Sequence, residues 1–169
     1  MHARLKLATQ LDHERVDRSL STFDLTHADE YAVFLSLNAA VLGRLRPHWR
    51  NVDEGDFDSL VAALALDLAT LGVDQPISVD PTPGLIDGLG LAYVVRGSRL
   101  GSKILRKRVG FGLPTAYLDL KPATPWQALL QQIEERVVAD PDSEPMIIAG
   151  ARTTFAVYEH SARTLGQAV

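Results

Sequence analysis

The stretch Gly90-Leu91-Ala92-Tyr93-Val94-Val95-Arg96-Gly97-Ser98-Arg99-Leu100-Gly101-Ser102 decides how the rest of the chain is read. Its surroundings have helical character, yet glycine stands at 90, 97 and 101. Each glycine inside a helix costs roughly 1 kcal/mol relative to alanine. Three of them along one element point to a body that approaches the backbone closely. Gly90, Tyr93, Gly97 and Gly101 recur at spacings of three or four and form one stripe. Two readings of that stripe stand side by side. It is either a glycine-mediated crossing of two helices or a platform for a flat ligand on bare backbone.

Working outward, the stretch belongs to a helix from about residue 85 to 109, bent or broken near Gly97 to Gly101, where backbone restraint is weakest. Before it, apolar residues at helical spacing predict three helices. These run over 3–20, from a Thr26/Asp29 cap to Leu45, and from Asp56 to Leu71 with Gly72 as its left-handed terminus. Asn38 is the polar exception on the second helix's apolar face, read either as an amide bonded to a neighbouring helix or as a ligand contact. Residues 73–83 hold three prolines and form an extended connector. After the stretch, residues 111–122 read as a loop. Thr124-Pro125-Trp126-Gln127 has the pattern of a capped helix start. A last helix carries Ile147, Ala151, Thr154, Phe155, Tyr158 and Ala162. No strand alternation or repeat is visible, and the fold expected is all-α, six or seven helices in one domain spanning 1–169.

Composition narrows the chemistry. With 46% hydrophobic and 22% charged residues, the 169-residue chain can bury a sizeable core. The net charge of −4 and pI near 5.7 offer nothing general to nucleic acid. The absence of cysteine removes disulfides, thiolate nucleophiles, iron–sulfur clusters and thiolate-ligated haem. No run reaches the ~18 apolar residues of a membrane span, and the N-terminus enters an amphipathic pattern without a signal-peptide core, so a cytoplasmic protein without membrane partners is expected.

The five histidines form no His-x-x-x-His pattern. His13 stands out by position, because it shares a face with Thr9, Val16 and Leu20 on the first helix. It is either a hydrogen-bonded structural residue or a single neutral imidazole facing a pocket, as in histidine-ligated haem proteins. Lys6 lies seven residues earlier on that face, roughly 10 Å along the axis. Arg96, Arg99, Lys103, Arg106, Lys107 and Arg108 make a local basic cluster on an acidic protein. It reads as a solvated face or as a surface for ligand carboxylates or an acidic electron-transfer partner.

Two segments carry a family resemblance. Leu5-Lys6-Leu7-Ala8-Thr9-Gln10-Leu11-Asp12-His13-Glu14-Arg15-Val16-Asp17 resembles the opening helix of bacterial haem oxygenases, in which Leu-Arg-x-x-Thr-x-x-x-His-x-x-Leu-(Glu/Asp) carries the proximal histidine. Leu89 to Ser102 is similar to that family's distal helix, Leu-Gly-x-x-Tyr-Val-x-Glu-Gly-Ser-x-Leu-Gly-(Gly/Ala). Tyr31 to Leu35, Asp67 to Gly72 and Thr154-Phe155 also look like family positions. Two positions depart from the pattern: Arg96 stands where glutamate is common, and Ser102 where glycine or alanine is.

The resemblance implies that His13 is the proximal ligand to haem iron. It also implies that Gly97, Ser98, Gly101 and the adjoining Ser102 line the distal side, and that Lys6 and Tyr93 meet the haem propionates. The implied activity is haem oxygenase: oxidative ring opening of haem to biliverdin with release of iron and carbon monoxide. Haem is then cofactor and substrate together. Electrons come from an external reductase or ferredoxin-like donor (ascorbate in vitro), and a bilin-using photoreceptor is a possible recipient of product. A haem-binding or sensory protein of the same fold, motivated by Arg96 and Ser102, and a haem-free helical interaction module are the competing readings.

Overall fold

The computed structural model describes residues 1–49, 54–73 and 86–166. Most of the 73–83 connector expected from its prolines lies outside that range. Among the described residues the architecture is helical throughout: α1 (His2–Leu20), α2 (Ala28–Leu45), α3 (Glu54–Thr70), α4 (Gly88–Arg106), α5 (Ala116–Asp119), α6 (Trp126–Ala139) and α7 (Ser143–Gly166). A single 3₁₀ turn, Arg46–His48, follows α2, with Pro47 in its first turn.

Helix α7 is the post against which α4, α1 and α2 pack. Its inward stripe of Ile147, Ala151, Thr154, Phe155, Tyr158 and Ala162 is buried, as the 3.6-residue period requires. Small residues make the α4–α7 crossing close. A Cβ added at Gly90 would lie 2.2 Å from the Ile147 carbonyl oxygen, and one added at Gly150 would lie 2.9 Å from the Asp87 carbonyl oxygen. Asp87 also caps α4, accepting the Leu89 and Gly90 N–H groups at 2.9 and 3.0 Å. That cap starts the helix at Gly88, three residues inside the expected boundary. The helix then runs unbroken through Gly97 and Gly101 to Arg106.

Several local expectations give way to longer-range contacts. Neither Thr26 nor Thr124 caps a helix: the N-cap positions are His27 and Pro125, without side-chain bonds. The Thr26 hydroxyl donates to Asp24 Oδ1 at 2.7 Å instead. The Thr124 and Ala123 N–H groups are turned toward Asp56 on α3. The 111–122 loop contains the short α5, whose first N–H groups, Ala116 and Tyr117, both donate to the buried Asp67 carboxylate at 2.9 Å. Asp67 satisfies there the donors that every helix start leaves open. Gly72 does take the left-handed conformation, at φ +76°.

A slot between the first and fourth helices

Helices α1 and α4 run side by side in the same direction, and they are joined at both ends. At the N-terminal end the ring centroid of Tyr93 lies 6.1 Å from that of His2 and 5.4 Å from that of Trp126, which is itself 6.2 Å from His2. Burial pushes the Tyr93 phenol above its ordinary pKa, and the Thr9 hydroxyl beside it pulls the other way. At the C-terminal end Arg108 Nη2 donates to the Phe23 carbonyl at 3.3 Å, and the Gly110 N–H donates to the Leu25 carbonyl at 3.0 Å. Both bonds tie the segment after α4 to the segment after α1.

Between these ties part of the α4 surface is left open. The N-terminal half of α4, Gly90 to Arg96, is buried all round. Beyond it the helix stays buried on one side, at Arg99 and Ser102, and opens on the other. Gly97, Leu100, Gly101 and Ile104, spaced i, i+3, i+4 and i+7, form the open side. Leu100 is 61% exposed and Ile104 69% exposed, and a Cβ added at Gly101 would meet nothing within 4 Å. At Gly97 an added Cβ would lie 3.5 Å from the Trp126 ring. The glycine stripe therefore does two jobs: Gly90 serves a helix crossing, while Gly101 leaves space. An exposed apolar strip beginning one helical turn beyond the Tyr93–Trp126 cluster is the result.

On the opposing helix, His13 lies one turn beyond Thr9, at the level that Gly97 occupies one turn beyond Tyr93. Its side chain is 60% exposed, with Nδ1 3.3 Å from Asp17 Oδ2 and its ring edge-on to Phe155 at 5.7 Å. The carboxylate partner at i+4 engages Nδ1, the nitrogen other than Nε2. Asp12, the preceding residue, is buried and accepts hydrogen bonds from Arg15 on the same helix and, at 3.2 Å, from Arg152 on α7. Lys6 is exposed on the same flank of α1 as His13.

The expected site residues thus divide. His13 and Lys6 lie on one wall, with Gly97 and Gly101 on the other. Ser98 is exposed next to Gly97, its hydroxyl donating to the Val95 carbonyl at 2.7 Å. Tyr93 stands at the closed end. Ser102 is buried on the far side of α4, donating to the Arg99 carbonyl at 2.7 Å, and does not open to the slot.

The six-residue basic cluster also divides. Arg96 is only 3% exposed and pairs with Asp56 on α3 at 3.2 Å. Arg99 lies over the Tyr117 ring, 4.5 Å from its centroid, and donates to the Tyr117 carbonyl. Tyr117 in turn donates to Asn38 Oδ1 at 3.0 Å, so Asn38 belongs to the structural network between helices. Only Lys103, Arg106, Lys107 and Arg108 remain on the surface.

Three contributors were not assigned to the site from the sequence, although Asp17 and Phe155 stand in segments that carry the resemblance. Asp17 was within reach, because its i+4 spacing from His13 is a local signal. Trp126 and Phe155 were not, since each reaches the slot from a helix distant in sequence.

This arrangement of helices is that of the haem oxygenase fold. No protein-family model and no curated protein matches the chain. Among solved structures it is similar to the haem oxygenase of Neisseria meningitidis, crystallised with nitric oxide and carbon monoxide bound. The TM-score is 0.76 at 23% identity, covering 96% of this chain and 90% of that one. The likeness is one of fold. Among the described residues no helix is long and apolar enough to cross a membrane.

Proposed function

We propose that the protein is a haem oxygenase whose whole length acts as one domain, with His13 as the axial ligand and haem as the substrate. The observation that carries this reading is the pairing of an exposed, carboxylate-oriented imidazole on α1 with the open glycine–aliphatic face of α4. The residues present fit a flat macrocycle with one axial ligand. The wall at Gly101 has no Cβ to displace, Leu100 and Ile104 offer apolar surface otherwise left to water, and His13 is held by Asp17 with Nε2 unoccupied. Burying those two aliphatic side chains would stabilise the complex by about 1.5–3 kcal/mol each at full burial.

Bound haem would supply the iron that activates dioxygen and the porphyrin carbon that is oxidised, with biliverdin, iron and carbon monoxide as products and an external donor as the source of electrons. The chain's own part is positional. Asp17, at His13 Nδ1, would orient the ring for ligation through Nε2. Gly101 would bring helix backbone within contact of the ring face, with Gly97 beside the Trp126 edge, and the Ser98 hydroxyl would lie near that contact. Lys6, and Tyr93 at the closed end, are the groups available to carboxylate substituents. Lys103, Lys107 and Arg108 give the slot's C-terminal mouth a positive border on an acidic protein, suited to an acidic electron donor.

The test is a haem titration followed by reductant in air. A saturable Soret band, replaced by the biliverdin spectrum on addition of ascorbate or a reductase, is expected. His13→Ala should keep the circular-dichroism spectrum of the helical fold and lose the native ferric spectrum. A Soret band that never forms would remove the haem reading. One that forms and persists unchanged under reductant would leave a haem-binding protein without ring opening.

A further inference from the structure

We propose that Trp126 is a specificity-determining residue that sets how far a flat ligand enters the slot, and that the Asp56–Arg96 pair behind α4 is the device that positions it. The proposal rests on the haem reading above for the identity of the ligand. The indole lies within van der Waals reach of the bare face of Gly97 and against Tyr93 and His2, so it fills the N-terminal end of the α1–α4 gap. The open wall begins beyond it. A macrocycle therefore slides toward α4's N-terminus only as far as the indole edge, and which edge of the ring meets Gly97 is decided there.

Trp126 is the first residue of α6, and the chain just before it is held by a carboxylate of α3. Asp56 Oδ1 accepts the Ala123 N–H at 2.7 Å, and Oδ2 accepts the Thr124 N–H at 3.4 Å. The same carboxylate pairs with Arg96 at 3.2 Å, both side chains being more than nine-tenths buried. One buried anion thus ties α3, the distal helix one residue before Gly97, and the entry to α6 two residues before the indole. Such a carboxylate holds position well because its alternatives in a dry interior are poor. The charge at Arg96 is buried against Asp56 and acts through this hold on Trp126.

The experiment compares wild type with Trp126→Ala, Trp126→Phe and Asp56→Asn in the full chain, using ferric haem with cyanide as the probe. Haem-methyl proton resonances report how the ring is seated, and the biliverdin isomer ratio reports which edge is attacked. Wild type should show one dominant set of resonances. Trp126→Ala and Asp56→Asn should each add a second set and change the isomer ratio, while Trp126→Phe stays close to wild type. In a Trp49→Phe background, acrylamide quenching of the remaining indole, measured without haem, should rise on Asp56→Asn. Unchanged resonances and isomer ratio in a Trp126→Ala protein that binds haem normally would overturn the specificity role. Unchanged quenching in a folded Asp56→Asn protein would overturn the positioning role. If wild type binds no haem, the haem reading and the seating fall together, and the quenching arm still judges the hold on Trp126.

Discussion

A methyl group added at residue 90 and one added at residue 101 are the same chemical change on the same helix, with opposite consequences. At Gly90 the new Cβ would sit 2.2 Å from a backbone carbonyl of α7, which cannot rotate away as a side chain would. The two helices would have to separate, at a cost of about 1–3 kcal/mol or more, as in other overpacked cores. At Gly101 the methyl meets nothing, and helix propensity alone favours alanine by about 0.5–1 kcal/mol. Gly90→Ala should therefore lower Tm by several degrees, and Gly101→Ala should leave it unchanged or slightly raised. Gly101→Leu should also fold and, on the proposed haem reading, should weaken haem binding by filling the open space there. Thermal unfolding of the three variants beside their haem titrations checks this. A stable Gly90→Ala protein would mean that the α4–α7 crossing is less close than described.

Helices are coupled here by a few buried carboxylates, each serving more than one element. Asp67 holds the start of α5, and Asp56 holds Arg96 and the approach to α6. Asp56→Leu removes the carboxylate from a buried guanidinium and from two N–H groups, so a loss of roughly 3–5 kcal/mol is expected. Arg96→Leu should cost less, because Asp56 keeps its two backbone donors. Urea denaturation of the two variants would show the asymmetry, and equal losses would argue that the backbone bonds contribute nothing. This coupling also explains what could be read from the sequence. Helix spans follow the apolar period, and the paired motifs around His13 and Gly97 to Gly101 carry the resemblance. The apolar stripes could not say that Gly90 and Gly101 serve different neighbours, because spacing alone does not distinguish a packed face from an open one. Thr124 looked like a cap because its local pattern is that of one, but a carboxylate nearly seventy positions earlier claims the backbone there. Arg96 read as surface charge because its partner on α3 has no local signature.

At the scale of the whole molecule, the core is closed by tyrosines from four different helices: Tyr31 on α2, Tyr93 on α4, Tyr117 on α5 and Tyr158 on α7. They are the chain's four tyrosines, and burial raises the pKa of every one above the ordinary 10.0. At Tyr31 the nearby Asp67 carboxylate adds to that rise, and at Tyr117 the Arg99 guanidinium opposes it. Below the ordinary value both folded and unfolded chains keep these protons, and the full stability is present. Above about pH 10 the unfolded chain loses them first, so stability falls as pH rises toward the folded-state values, by up to about 1.4 kcal/mol per pH unit for each tyrosine. Four acting together make alkaline unfolding steep. Tm should hold level near pH 8 and drop sharply beyond about pH 10, with phenolate absorbance appearing together with loss of helix. Tyr158→Phe, which removes a group buried deep against α5, should make that drop shallower. Phenolate absorbance that grows in near pH 10 while the helices persist would mean that the tyrosines are open to water, and that the packing of α7 against its neighbours is looser than the fold requires.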